Sequence, residues 1–445
     1  MTDYSFNFHF IENIYIGLLF TLLSMIGTLL IFRKHIYSIF DPLFFSSIMS
    51  SCAYAVVFYL YYFDLITFNY FLSFLLTQAG FVLGFLINKP IKLNKITFHA
   101  CRSFRFSDSP VYFLYPLSVF LFVLSQLAVY YFSGLPLLME SRHETFSTGS
   151  GYGLFSRIIY VTSNISLSLA TYRMIYLKEN IFIRSFDYLV VLFYVLTAIL
   201  SGSKGTMLIA IFIIFLTVLF ARKMNLNPHV EKKANTILIG FLILAFPAAF
   251  LTLFMQSDVD DYMQLIMPFL LRFMHTGNIF YMTYPNNVID HLDHNSNVFF
   301  VLFQDILGSL RLVPWHELPT NLGLQVFRYH NVTDLIGGPN SRHNVFGLFY
   351  FGFYYSILFS FILGFIVSFI RNVIYVKAPA TPLWMITYVL LAISSNFIEQ
   401  DPVTLALGYL FSIFLILPPL YFLAVMLFHI SKKPVRAGSE SPLAS

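Results

Sequence analysis

Eleven stretches of this chain carry almost no charge over lengths that suit a membrane span: residues 13–32, 43–63, 69–87, 110–132, 155–172, 188–201, 206–221, 235–255, 344–370, 383–398 and 404–429. A helix of about 20 apolar residues crosses a hydrocarbon core of about 30 Å, and it is one of the two backbone arrangements that satisfy their own hydrogen bonds in lipid. The pattern predicts an all-α polytopic membrane protein, one integral membrane domain over residues 1–445. Composition agrees, since 58% of residues are apolar and 11% charged, against about 25% charged in soluble domains. The N-terminus opens with Asp3 and Glu12 before a full-length span rather than a basic segment and a short apolar core, so the first helix is expected to stay in the mature protein.

The basic residues supply orientation. Arg33 and Lys34, then Lys89, Lys92, Lys95, Arg102 and Arg105, then Arg173, Lys178 and Arg184 follow alternate spans. The same side receives Arg222, Lys223, Lys232 and Lys233, then Arg371 and Lys377, then Lys432, Lys433 and Arg436; together these make 19 of the 26 Lys and Arg. By the positive-inside rule these connections are cytoplasmic, with the N-terminus outside and the C-terminus inside. Spreading of the +5 net charge over short connections, rather than one patch, excludes a nucleic-acid partner. Arg142, Arg157, Lys204, Arg272, Arg311, Arg328 and Arg342 fall on or near the other side, where an anionic ligand or a local acidic partner must account for them.

Three outer segments follow. Residues 188–221 would make one helix of about 50 Å, too long for the core, so the chain turns at Ser201-Gly202-Ser203-Lys204-Gly205. A smaller loop covers 133–154 and a large one 256–343, the latter with apolar stretches such as Leu265 to Leu271 and Val298 to Phe303 that suit interfacial or re-entrant helices. No internal repeat or inverted pairing of segment lengths is present, which disfavours a repeat-built transporter.

Chemistry-bearing residues gather in these segments. The Ser201 to Gly205 turn, with Lys204 and a helix start just after it, suits a phosphate, or else is only a tight hairpin whose lysine snorkels. Gly337-Gly338-Pro339-Asn340-Ser341-Arg342-His343-Asn344 leads into a helix containing Gly347 and Gly352; Arg342 suits a pyrophosphate, and the near-neutral pKa of imidazole suits His343 to accept a proton. The plain alternative makes Asn340 or Ser341 a helix cap. Glu140, Arg142, His143 and Glu144 can pair among themselves, whereas Arg157 lies at the outer end of an apolar span and must snorkel, pair or face a cavity. Glu399 and Asp401, between the last two spans, suit salt bridges to outer arginines or sugar hydroxyls. Asp258, Asp260 and Asp261, and the run Asp290, His291, Asp293, His294, lack a diagnostic metal pattern, and Cys52 and Cys101 are not placed to pair.

The arrangement resembles the bacterial O-antigen polymerases of the Wzy type and, more distantly, the O-antigen ligases. The likeness rests on the Ser201 to Gly205 turn, on the glycine-rich run ending in Arg342-His343-Asn344 with Phe346-Gly347 and Gly352 beyond it, and on Gly134 to Pro136 with the following Arg142. The turn carries Lys204 where the family more often has arginine. The resemblance implies a membrane-embedded, GT-C-like glycosyltransferase of the inner membrane with its site facing the periplasm, polymerising undecaprenyl-pyrophosphate-linked repeat units into O-antigen or a related surface polysaccharide, with a chain-length regulator as a further partner. In that frame His343 takes the acceptor proton, Lys204, Arg342, Arg157, Arg142 and Arg272 meet pyrophosphate, and Glu140, Glu399 and Asp401 are alternative bases or sugar ligands. No metal or cofactor is required by such a reaction, because arginine and lysine can supply the charge stabilisation. A ligase, or a flippase for the lipid-linked glycan, remains an alternative.

Overall fold

In the computed structural model, residues 1–92, 106, 109–139, 153–177, 179–203, 205–224, 233–244, 247, 266–294, 296–331 and 337–432 are described. Regular backbone among them is helical throughout. In chain order the helices are α1 (Asp3–Glu12), α2 (Ile14–Phe32), α3 (Pro42–Tyr62), α4 (Phe68–Leu86), α5 (Val111–Ser133), α6 (Gly153–Tyr176), α7 (Ile181–Leu200), α8 (Thr206–Ala221), α9 (Lys233–Leu244) and α10 (Ile266–Met274). There follow α11 (Asn278–Thr283), α12 (Val298–Ser309), α13 (Leu322–His330), α14 (His343–Ser368), α15 (Tyr375–Lys377), α16 (Pro382–Asn396) and α17 (Gly408–Ser431).

Among the described residues, seven segments are long and apolar enough to cross a membrane: α2, α3, α4, α5, α7, the α14–α15 segment and the segment ending in α17. The protein is therefore an all-helical membrane protein. The other expected spans coincide with α6, which is long but carries Arg157 and Arg173, and with the shorter apolar helices α8, α9 and α16. Local chemistry explains several starts. Asp41 caps α3 by accepting from the Leu43 amide, with Pro42 next, and Thr381 with Pro382 does the same for α16.

Three features depart from the sequence expectation. First, α7 begins at Ile181, not 188, because Asp187 is buried in an ion pair with Arg173 Nε at 3.2 Å and accepts from Tyr115 Oη at 2.7 Å. A paired charge is tolerated inside a span, so the charge-free window was shorter than the helix. The expected turn follows it, with Gly202 at φ +62° between α7 and α8. Second, α1 precedes the first span. Phe6 is buried against Tyr281 at 4.0 Å, and Tyr281 Oη donates to Asp3 at 2.5 Å.

Third, the ninth span is broken. Gly352 sits at φ +70°, ψ −176°, a region that only glycine enters readily, and the helix reverses there. His343 Nδ1 lies 2.9 Å from Ser360 Oγ, seventeen residues away, which a straight helix would separate by about 25 Å. Residues 343–351 therefore form a short helix lying against 353–368, with Phe346 and Phe359 rings 5.7 Å apart. The longer arm runs parallel to α4. A Cβ at Gly84 would stand 2.0 Å from the Phe361 carbonyl oxygen, one at Gly364 2.0 Å from that of Phe81, and Asn88 Nδ2 donates to Ser368 Oγ at 2.8 Å. Small residues let these two backbones touch, as membrane helices require in the absence of a hydrophobic drive.

Two cores result. One joins α5, α6, α7, α8, α16 and α17, with α6 buried on all sides from Val161 to Arg173; Ser168 and Thr217 hydroxyls bond across it at 2.8 Å. The second joins α1, α3, α4, α11, α13 and the short arm of α14. Segment 266–283 presses into the middle of α3: Thr276 Oγ1 donates to the Met49 carbonyl at 3.1 Å, and a Cβ at Gly277 would stand 2.9 Å from Ala53 Cα. Part of the long segment between α9 and α14 thus packs at the level of mid-helix.

Candidate functional site

The broken helices bring a polar cluster to the middle of the bundle. Arg342, His343 and Asn344 open the short arm of α14, and all three are buried. Asn344 Nδ2 donates to Thr77 Oγ1 at 2.9 Å, and the His343 ring stacks on Phe81 at 4.9 Å; both partners lie midway along α4. Ser360 lies midway along the long arm of α14. Backbone that is not helical survives at such depth only where protein or a watery cavity surrounds it.

A second departure from helix meets the start of the short arm. Between α16 and α17 the chain leaves helical geometry near Phe397 and re-enters it through a wide turn at Pro402–Leu407. Arg342 N–H donates to the Gln400 carbonyl at 2.9 Å and His343 N–H to that of Glu399 at 3.4 Å, so the start of the short arm of α14 is stitched to the α16–α17 connection by main-chain bonds. Asp401 accepts from the amides of Val403 at 3.1 Å and Thr404 at 2.9 Å, capping the turn. Burial pushes its carboxyl above the usual range, while those amides and Ser341 oppose the shift. Asp401 is thus held by protein donors.

Charge at the centre is paired across the breaks. Arg342 Nη1 lies 3.7 Å from Glu399 Oε1, and Arg342 Nε donates to the Thr276 carbonyl at 3.0 Å. Tyr54, midway along α3, donates to Glu399 and receives a bond from Gln78 Nε2 at 2.6 Å. Arg342 also has φ +38°, costly for a side-chain-bearing residue and sustained only by these surroundings. Hydrogen-bond accounting is incomplete at three consecutive residues. Arg342 Nη1, His343 Nε2 and Asn344 Oδ1 are each buried without a hydrogen-bond partner among the described residues. An unmet buried polar atom costs about 1–3 kcal/mol, so three together mark a place built to meet something other than the chain itself. Glu399 retains 14% of its side-chain surface, so the cluster reaches accessible space through this carboxylate.

The other sequence-predicted residues scatter. Arg157 is committed to protein: it pairs with Asp305 at 3.1 Å, donates to Ser309 and Ser412, and lies 5.1 Å over the Phe411 ring. Arg272 is exposed in the last turn of α10, apart from the central cluster's hydrogen bonds. Lys204, Glu140 and Arg142 lie outside the described residues, as do Asp258, Asp260, Asp261 and Cys101. Among the described residues, no group of three or more His, Cys, Asp and Glu is placed to hold a metal. Sequence reasoning missed Tyr54, Gln78 and Thr276. The first two had a signal, a polar group in the middle of an apolar span; Thr276 enters through its carbonyl, which sequence does not flag.

The chemical capacity of the cluster is specific. A hydroxyl brought to His343 Nε2 meets a proton acceptor in the tautomer whose Nδ1–H donates to Ser360. An anion brought to Arg342 Nη1 meets a cation that Glu399 approaches only to 3.7 Å, beyond hydrogen-bond distance, and so competes with that carboxylate for it. No protein-family model matches the chain, and neither a curated protein nor a solved structure is significantly similar to it.

Proposed function

We propose that this chain is a membrane-embedded glycosyltransferase that joins polyprenyl-pyrophosphate-linked oligosaccharide units at the periplasmic face of a bacterial inner membrane, with its N-terminus outside and C-terminus inside. The observation that carries the reading is the run of buried atoms on Arg342, His343 and Asn344 without a hydrogen-bond partner among the described residues, at the start of the short arm of α14 where Arg342 meets Glu399. In the proposed step an acceptor hydroxyl oxygen bonds to the donor's anomeric carbon. The bond from that carbon to the pyrophosphate oxygen breaks, and the electron pair leaves with the lipid pyrophosphate. His343 Nε2 takes the hydroxyl proton, and Arg342 stabilises the departing charge. Glu399, with its partial exposure, is the competing base.

The test is incubation of purified protein with a lipid-linked repeat unit and separation of products by length. A ladder supports polymerisation, and a single transfer to an added core lipid supports a ligase. Single-turnover transfer by His343→Ala and His343→Gln is expected to fall about 10²-fold with affinity retained; near-normal transfer by both removes the role of His343. A second reading is favoured by the interrupted helices, which also build transporter sites near the bilayer midplane. Absence of any glycan product, with movement of the intact lipid-linked unit between leaflets, would select a flippase.

A further inference from the structure

On the outer segment, between Pro285–His291, α12 and α13, lies an open cleft of about 910 Å³. It is of the size of small-molecule sites, about 300–1,000 Å³, and it is separate from the central cluster. We propose that this cleft binds uncharged or N-acetylated sugar rings of a glycan; the proposal rests on the glycosyltransferase reading and names a subsite for it.

Aromatic faces come first. Tyr329, 49% exposed, stacks with His291 at 6.4 Å and 9° between planes, and Phe300, 39% exposed, also lines the cleft. Such faces receive the apolar C–H side of a sugar. Planar polar groups complete the lining: Asn297, whose side chain also caps α12, and Gln325, whose Nε2 donates to the Thr320 carbonyl at 2.8 Å. Gln325 Oε1 is buried and has no hydrogen-bond partner among the described residues, so a turn of this amide, which gives up the Thr320 bond, would offer the cleft an acceptor for a hydroxyl or an acetamido N–H. Charge argues against a phosphate. Asp293 and Glu317 outnumber Arg328 in the lining, so a strongly anionic ligand is repelled while hydroxyl donors are welcomed. The cleft is also anchored to the chain that delivers Arg342. A Cβ at Gly323 on α13 would stand 2.0 Å from the Pro339 carbonyl oxygen, and the His294 ring stacks on Phe349 of the short arm at 4.3 Å.

Trp315 reports on the cleft, because it lies between the lining residues Val313 and Glu317, and Trp384 is the one other tryptophan in the chain. The full-length protein carrying Trp384→Phe is placed in lipid nanodiscs and titrated with short neutral, N-acetylated and uronic-acid oligosaccharides and with inorganic pyrophosphate. A saturable change in emission with neutral or N-acetylated members is expected. Tyr329→Ala should weaken it about tenfold or more, Gln325→Met should also weaken it, and Tyr329→Phe, which keeps the ring, should not. No saturable response to any sugar, a response confined to pyrophosphate or uronic acids, or affinities unchanged in both Tyr329→Ala and Gln325→Met would overturn the proposal. A chain that binds sugars this way yet makes no glycan product loses the glycosyltransferase reading and keeps the cleft. One that elongates normally with Tyr329→Ala, at unchanged acceptor KM, keeps the reading and loses the cleft.

Discussion

Removing the carboxylate from Glu399 tests whether the central charges support each other. Arg342 and Glu399 approach to 3.7 Å, with side chains 2% and 14% exposed. At an effective dielectric of about 20 that separation corresponds to about 4–5 kcal/mol of attraction, and deleting one member of a buried pair typically costs about 3–5 kcal/mol because the other is left uncompensated. Glu399→Gln keeps an oxygen for Tyr54 to donate to and leaves Arg342 with the Thr276 carbonyl as its side-chain acceptor. A loss of about 3 kcal/mol is expected. Arg342→Met leaves the partly exposed carboxylate with Tyr54 and should cost less, about 1–2 kcal/mol, since water can reach it. The double variant should lose about 2 kcal/mol less than the two single losses combined, because neither charge is then stranded. Reversible unfolding in mixed micelles with increasing SDS gives all four free energies. Additivity within about 0.5 kcal/mol would refute the pairing, and with it the view that the start of α14 and the α16–α17 connection are held together by charge.

Gly347→Cys with Ser356→Cys, in a chain freed of Cys52 and Cys101, should form a disulfide on mild oxidation, since a Cβ at Gly347 stands 3.0 Å from Ser356 Cβ; a straight helix would hold these positions about 13 Å apart along its axis and give none. Gly364→Ala should lower stability by at least about 2 kcal/mol in thermal melts, because its methyl collides with the Phe81 backbone and α4 must retreat, while Gly27→Ala, with open space around it, should be near neutral. Burial, aided by Arg371, depresses the His35 pKa from 6.5 to about 4. The unfolded chain therefore binds more protons between those values, so stability should be full above pH 6.5 and fall as pH drops towards 4. His35→Gln should flatten that slope in unfolding measured against pH, and an unchanged slope would remove His35 as its source.

The helical membrane character was legible because charge-free windows are a property of composition along the chain, and α2 to α5 begin and end within a few residues of them. The start of α7 was not, because Asp187 reads as a boundary until Arg173 and Tyr115 are seen beside it. Helix α1 was hidden for a different reason. Its sequence is only weakly amphipathic, and its order comes from the particular ring of Tyr281, some 275 residues on. At the site, Arg342, His343 and Glu399 were recognisable as polar residues where a loop meets apolar helix, but their depth was not. Depth depends on the reversal at Gly352, and a lone glycine in an apolar run reads equally as a packing residue.

The reversal at Gly352 also bears on how the protein is made. A translocating channel scores segments as they pass, and an arginine in the middle of a crossing helix adds about 2.5–3.5 kcal/mol to the insertion penalty. Arg342 escapes that scoring, because it arrives at mid-bundle on a short arm folded back from a helix that is itself free of charge from 344 to 370. The long arm can enter lipid first and settle against α4 through Gly84 and Gly364. The short arm can dock only after that groove exists and after α16 and α17, synthesised later, supply the Glu399 and Gln400 carbonyls. Maturation of the centre is thus a late, post-insertion event, and a chain stalled before residue 400 should hold its membrane helices while leaving Arg342 on the aqueous side.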